Sequence, residues 1–219
     1  MIAPRAVVFD LDGTLVDAVG DIALALNHVL VESGRSALPT EVIAGYVGDG
    51  ARALVARAVR LEGAELDPIL RAFLDRYAAH PVVRSRWMPG AREALDALRA
   101  LPLALCTNKP REIAVAVLSA LGALDRFSTV VGGGDCAPKP AADPLRLVAS
   151  RLGVVPAQLV MVGDGTQDAL AGRAVGARTI AVTNGYGSVE ALRASAPDEL
   201  VGSMHEVPGV MRRWLAIEG

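Results

Sequence analysis

Residues 6–15 read Ala-Val-Val-Phe-Asp-Leu-Asp-Gly-Thr-Leu, and this stretch decides the fold. Its first four residues are all apolar. No polar residue alternates with them, which predicts a short strand buried on both faces. Strands of that kind belong to parallel sheets covered by helices. The polar run Asp10 to Thr14 then ends the strand and predicts a loop at its carboxyl end.

Beyond that loop, apolar residues recur at helical spacing over 21–32, 51–61 and 68–79. Gly34, Pro39, Gly48, Gly50 and Gly63 punctuate them, and no strand is predicted between 18 and 82. The pattern then changes. Helices predicted at 91–100, 111–121, 143–152 and 169–175 alternate with strands at 103–106, 129–131, 159–162 and 179–182. A short strand at 199–201 and a helix at 207–216 follow. Strands alternating with helices imply right-handed crossovers and an α/β fold with a Rossmann-like parallel sheet. The helical block sits as an insertion. The expected organisation is a core of residues 1–17 and 84–219 with an α-helical cap domain of residues 18–83.

Composition excludes several classes. The 219 residues are 52% hydrophobic and 21% charged, which rules out a disordered chain. Lys plus Arg is 22 against 24 for Asp plus Glu, a net charge of -2, so electrostatics favour no nucleic-acid partner. Mean hydropathy is high at +0.38, from abundant Ala, Val and Leu. No run approaches the ~20 apolar residues of a spanning helix, so no membrane partner is expected. Near the N-terminus Arg5 is the only cation, and Asp10 and Asp12 interrupt the apolar run; no signal peptide is read and the expected location is cytoplasmic. Cys106 and Cys136 match no metal spacing and read as reduced thiols. No heptad pattern speaks for an oligomer, and the oligomeric state is left open.

In open parallel sheets, ligands bind beyond the carboxyl ends of the strands. Asp10, Asp12 and Thr14 follow the first predicted strand. Thr107, Asn108 and Lys109 follow the second. Gly132 to Asp135, and then Lys139, follow the third, and Gly163, Asp164 and Asp168 the fourth. Singly, each has an ordinary explanation. An Asp caps a helix, Thr14 and Gly13 make a turn, and Thr107 is an N-cap. Lys139 is a solvated loop charge, and Asp168 an acid in a first helical turn. Their joint occurrence at four strand ends points elsewhere. Asp10, Asp12 and Asp164 suit a hard divalent ion such as Mg²⁺, which prefers oxygen ligands. A lysine, the Thr107 hydroxyl and the backbone N–H groups of Gly13 and Asn108 suit a phosphate. One aspartate can then act as a nucleophile.

These segments resemble a known family. Asp10-Leu11-Asp12-Gly13-Thr14-Leu15 looks like the signature of the haloacid dehalogenase superfamily. Cys106-Thr107-Asn108-Lys109-Pro110, Lys139-Pro140 and Val162-Gly163-Asp164-Gly165-Thr166-Gln167-Asp168 resemble its second, third and fourth motifs. The resemblance covers nearly the whole chain, helical insert included. It implies a Mg²⁺-dependent phosphomonoester phosphatase acting on a small phosphorylated metabolite. Asp10 would be the nucleophile that becomes phosphorylated, and Asp12 the general acid and base. The Asp12 backbone carbonyl, with Asp10 and Asp164, would hold the metal. Thr107 and Asn108 would bind phosphate oxygens, Lys139 would neutralise charge, Asp168 would orient Lys139 or reach the metal through water, and Thr14 would fix the loop. Gly165, Ala18, Cys136 and Ala137 depart from the family's common residues without touching these roles.

Substrate choice is expected in the cap. Val47-Gly48-Asp49-Gly50-Ala51-Arg52 places two glycines before a helix, so that backbone N–H groups and Arg52 could face a small anion. This stretch resembles the cap loop of phosphoglycolate phosphatases, which implies 2-phosphoglycolate as substrate. Arg52 as an exposed helix arginine and Asp49 as a turn residue are the plainer alternatives. A phosphatase or phosphomutase for another sugar or sugar-acid phosphate is the runner-up. From another class comes a receiver-like signalling module, which also joins strand-end aspartates, Mg²⁺, a Thr and a Lys. His28, His80 and His205 are scattered, and Trp87 and Trp214 read as packing residues.

Overall fold

The computed structural model describes residues 2–217. Strand β1 (Ala6–Phe9) is followed by β2 (Val16–Asp17), and four helices come next: α1 (Val19–Glu32), α2 (Thr40–Ala44), α3 (Ala51–Val59) and α4 (Asp67–Ala79). Strand β3 (Arg86–Trp87) closes this insert. The alternating half then runs α5 (Ala91–Ala97), β4 (Leu103–Pro110), α6 (Arg111–Ala120), β5 (Thr129–Gly133), α7 (Asp143–Leu152), β6 (Leu159–Gly163), α8 (Thr166–Ala174) and β7 (Arg178–Val182). Helix α9 (Val189–Ala194), β8 (Glu199–Val201) and α10 (Val207–Ile217) end it.

The main sheet is six-stranded in the order β5-β4-β1-β6-β7-β8, with every recorded pairing parallel. The predicted α/β class is therefore the observed one. The order turns back between β5 and β6, so the crevice beside β1 opens at the carboxyl ends of β4, β1 and β6. Successive β1 residues face opposite layers. Val7 and Phe9 join a core with β4, β6, α5, α6, α10 and the insert, while Ala6 and Val8 join one with α7 and α8. Burial on both sides is why that strand carries no polar residue. Among the described residues no helix is long and apolar enough to cross a membrane.

Several predicted boundaries shift: α5 ends at Ala97 rather than 100, and α8 runs Thr166–Ala174 rather than 169–175. The second predicted strand is longer than 103–106, because β4 continues through Thr107, Asn108 and Lys109 to Pro110, with an irregularity in its pairing to β5 after Cys106. Helix α3 stops at Val59, since Arg60 turns left-handed with φ 56°. The chain also enters and leaves the helical insert through paired strands: β2 and β3 run antiparallel, Val16 opposite Trp87 and Asp17 opposite Arg86. Two residues carry no periodicity, so neither strand is legible in sequence. The same holds for the short helices α2 and α9.

A buried aspartate locks the two connections together. Asp21, in the first turn of α1, accepts backbone N–H bonds from Val83, Arg84 and Ser85 and the Ser85 hydroxyl, at 2.6–3.1 Å. Burial pushes its carboxyl up, but these four donors outweigh that and hold it below the ordinary Asp value. A depressed carboxyl stabilises the fold above the unfolded pKa and loses that contribution as pH falls through the folded one. Asp21→Ala would strand the donors and is expected to cost about 1–3 kcal/mol at pH 7 in urea melts. The gap between wild type and variant should close as the pH is lowered below ~4.

Candidate active site

The carboxyl ends of β1, β4 and β6 carry the polar residues that the strand reading singles out. Asp10 follows β1 directly, and its N–H bonds the Val162 carbonyl at 2.9 Å, continuing the ladder. Asp164 follows β6 in the same way, and Asp168 lies in the first turn of α8. Asp10, Asp164 and Asp168 are buried, each with a carboxylate oxygen within 4.8 Å of the others.

Three carboxylates this close repel unless a cation joins them. Lys139 is that cation within the chain. Its Nζ, with the side chain 1% exposed, donates to Asp10 Oδ1 at 2.8 Å, Asp168 Oδ1 at 2.6 Å and the Cys106 carbonyl at 2.6 Å. Burial alone would push the ammonium down; Asp10 and Asp168 outweigh it and raise it. One ammonium does not balance three acids. Burial and the nearby Asp10 push the Asp164 carboxyl up to about 6, against hydrogen bonds from Thr14 and Tyr186. Burial raises Asp168 as well, against the pull of Lys139. An oxygen-only cluster with surplus negative charge fits a hard divalent cation. The oxygens of Asp168 already serve Lys139 and the Gly165 N–H. Both Asp164 oxygens also accept, from Thr14 and Tyr186, so Asp10, bonded to Lys139 through Oδ1, carries the freest carboxylate of the three.

The predicted supports divide. Thr14 is buried and donates from Oγ1 to Asp164 Oδ1 at 2.7 Å, so it fixes a carboxylate as well as the loop. Gly13 needs its left-handed φ of 88°, and a Cβ there would collide with the Asp164 carboxylate. Its N–H, however, donates to the Val16 carbonyl at 2.8 Å. The expectation that it binds phosphate is corrected, because that donor is spent on the turn. The Asn108 amide is also committed: Nδ2 donates to the carbonyls of Gly48 and Lys139, and Oδ1 accepts from the Lys139 N–H. The Asn108 side chain therefore moors the Lys139 loop and the insert. Thr107 lines the cleft with its hydroxyl accepting from the Lys109 N–H.

Asp12 stands apart from the carboxylate cluster. Its two oxygens accept from Lys109 Nζ at 2.9 and 3.1 Å. Burial raises its carboxyl above the ordinary value, against the opposing charge of Lys109. Lys109 Nζ also donates to the Tyr77 hydroxyl at 2.6 Å. Burial pushes the Tyr77 phenol up to about 12, so it stays protonated. Sequence reasoning puts Lys109 at the strand end but assigns it no role, and Tyr77 counts only as part of a helical apolar pattern. Tyr186 is missed entirely. Its N–H donates to Asp164 Oδ2 at 2.7 Å, and its hydroxyl accepts from the Ala18 and Val19 N–H groups and bonds Asp17 Oδ1 at 3.0 Å. The only signal available was its place after β7, on the same edge of the sheet.

The insert closes one side of the cleft with Val47, Gly48, Gly50, Ala51, Leu54 and Phe73. Gly50 has φ 88°, and a Cβ there would stand 3.2 Å from the Asn108 carbonyl, so a bare backbone suits this approach. Arg52 is not part of the lining. It is exposed and pairs with Asp67, as Arg57 pairs with Asp49. The helix turns both arginines to solvent, so Arg52 is corrected to its plainer alternative. Gly165 lies so near the end of the Gln167 side chain that a Cβ there would displace it.

A family model described as haloacid dehalogenase-like hydrolase matches residues 4–176. The chain belongs to that family. It is 42% identical to the phosphoglycolate phosphatase of Chromobacterium violaceum, over 95% of this chain and 96% of the relative. Its identity to the phosphoglycolate phosphatase of Neisseria meningitidis is 39%, over 93% and 92%. A haloacid dehalogenase-like family hydrolase from Streptococcus pneumoniae superposes with a TM-score of 0.87 at 26% identity, covering 96% of this chain and 99% of that one. The chain is accordingly an enzyme of the phosphatase kind, and the signalling-module alternative has no support.

The raised Asp164 carboxyl has two consequences. If Asp164 is a metal ligand, its proton competes with the cation, and calorimetric affinity for Mg²⁺ should weaken below about pH 6, approaching about tenfold per pH unit. In metal-free protein, an acid raised on folding contributes stability that is lost as pH rises from ~4 toward the folded pKa. Asp164→Asn is therefore expected to raise the Tm of the metal-free protein at pH 7 and, if Asp164 is a metal ligand, to remove any Tm increase that Mg²⁺ brings.

Proposed function

We propose that the enzyme is a Mg²⁺-dependent phosphomonoesterase that works through phospho-Asp10 and takes 2-phosphoglycolate, releasing glycolate and phosphate. The observation that carries the reaction is the separation of the two carboxylates at the end of β1. Asp10 is gripped by the buried Lys139, while Asp12, two residues on, faces a different cation. Different surroundings let one carboxylate attack while the other handles a proton. The names of the two relatives, each aligned over more than nine-tenths of its length, support the substrate.

In this reading an Asp10 oxygen attacks phosphorus and the ester P–O bond breaks. Asp12 gives its proton to the leaving oxygen, and glycolate departs. Asp12 then takes a proton from water as the water oxygen attacks phospho-Asp10, and phosphate leaves with Asp10 restored. Lys139 offsets charge on Asp10 and the phosphoryl group, and Asp168 aims Lys139. Thr107 and the Asn108 backbone N–H hold phosphate oxygens. Asp10, Asp164 and the Asp12 carbonyl would hold Mg²⁺, which when bound supplies positive charge against the phosphoryl oxygens. The helices of residues 18–83 serve as a cap that excludes water and sets the room for the alcohol portion.

Phosphate release should be strongest on 2-phosphoglycolate within a panel of hexose phosphates, nucleotides and sugar-acid phosphates. It should vanish with EDTA and in Asp10→Asn. Asp12→Asn should slow alkyl esters by about 10²–10⁴, while the first step with p-nitrophenyl phosphate, read as the burst of p-nitrophenol on rapid mixing, should be slowed much less, because that leaving group needs no proton. Stronger turnover of another ester would discard the substrate and keep the mechanism; Asp10→Asn turning over normally would discard the mechanism.

A further inference from the structure

Lys109 is a second buried cation that the phosphoryl-transfer roles above do not use. Its side chain is 2% exposed, with Nζ shared between Asp12 and the Tyr77 hydroxyl and lying 4.4 Å from the centre of the Tyr77 ring. Burying an ammonium costs several kcal/mol unless partners repay it. Here those partners are the carboxylate that handles the proton and a phenol supplied by the insert. Both Lys109 and Tyr77 line the cleft. The Tyr77 oxygen accepts from Lys109, and among the described residues no acceptor is found for its own proton. Nζ and the phenolic O–H therefore form a donor pair in one corner of the cleft.

We propose that Lys109 and Tyr77 receive the second, non-transferring anionic group of the substrate, and that this group is a carboxylate close to the ester oxygen. The inference rests on the reading of Asp12 as the proton donor and deepens the proposed function. If Asp12 protonates the leaving oxygen, that oxygen lies against the Asp12 carboxylate. Lys109 Nζ sits 2.9 Å from the same carboxylate, so only a short link separates the ester oxygen from the ammonium. A carboxylate one carbon from the ester oxygen spans that gap. The charge of the group follows from the count of cations. Among the described residues that line the cleft Lys109 is the one cation, already shared with Asp12, while Arg52 and Arg57 of the insert point to solvent in their own ion pairs. A single shared ammonium matches a singly charged group better than a second phosphate. Leu54, Phe73 and Ile22 supply apolar walls in the same cleft.

The test compares kcat/KM on esters that differ only in the carboxylate. 2-Phosphoglycolate is set against 2-hydroxyethyl phosphate, and 2-phospholactate against 1-hydroxypropan-2-yl phosphate. Wild type should favour the acid of each pair by about ten- to a hundredfold, the worth of a charge-assisted hydrogen bond. Lys109→Met should bring the ratio within about threefold, and Tyr77→Phe should lower it partway, chiefly through KM. Any general effect of Lys109 on Asp12 slows both members of a pair and drops out of the ratio. A preference that survives in Lys109→Met overturns this inference and leaves 2-phosphoglycolate standing as substrate. Equal turnover of both members by wild type overturns the inference and the substrate together, while EDTA and Asp10→Asn still report on the phosphatase. A wild type that prefers a larger carboxylated ester, with the preference lost in Lys109→Met, upholds the inference and discards 2-phosphoglycolate. Should Lys109→Met not fold, inhibition by glycolate against 1,2-ethanediol decides. The acid should inhibit wild type more strongly, and the gap should shrink in Tyr77→Phe; an unchanged gap overturns the inference.

Discussion

Like charges brought out of water at the ends of adjacent strands must be compensated, and this requirement organises the crevice. β1 and β6 are neighbours, so Asp10 and Asp164 meet, and the first turn of α8 adds Asp168. Lys139 reaches between them from the stretch after β5. Its ammonium can do this only if its backbone is held, and Asn108 holds it from both sides through the Lys139 N–H and carbonyl. The same amide bonds Gly48 in the insert. A charge requirement at one strand end is thereby passed through Asn108 to a loop 60 residues away in sequence.

A second chain of contacts runs from the opposite side of the cluster. Asp164 takes hydrogen bonds from Thr14 and from the Tyr186 N–H. The Tyr186 hydroxyl meets the first N–H groups of α1, where orphan donors need an acceptor. Asp21, one turn on, gathers the returning strand connection. The carboxylate cluster and the root of the insert are thus tied by a few short bonds, and the room above Asp10 depends on both.

Much of the architecture was legible because period and burial speak directly. A short apolar run without alternation, rich in Val and ended by turn-forming residues, reads as a strand covered on both sides, and 6–9 is such a run. The long helices of the insert showed their faces in the same way. β2, β3, α2 and α9 were not legible, since two to six residues hold no period. Their pairing depends on where the longer elements bring the chain. Within the site, Asp10, Asp164, Asp168, Thr14 and Lys139 were named from sequence and do converge. Tyr77 was hidden, because an amphipathic face looks the same whether its phenol meets lipid-like core or a buried ammonium.

Sequence by itself determined which residue types stand at the strand ends. A parallel sheet puts all those ends on one edge, so the acids and Lys139 had to gather there. Tertiary structure alone decided how each polar atom is spent. Gly13 gives its N–H to a turn, Asn108 gives its amide to two carbonyls, Arg52 faces solvent, and Lys109 turns inward to Asp12 and Tyr77. The physical reason is that a hydrogen bond needs a partner within about 3 Å in a set direction. Such partners come from distant parts of the chain, as with Thr14 and Asp164, 150 residues apart. Residue type states what a group can do, and only the packed neighbours settle what remains free to do it.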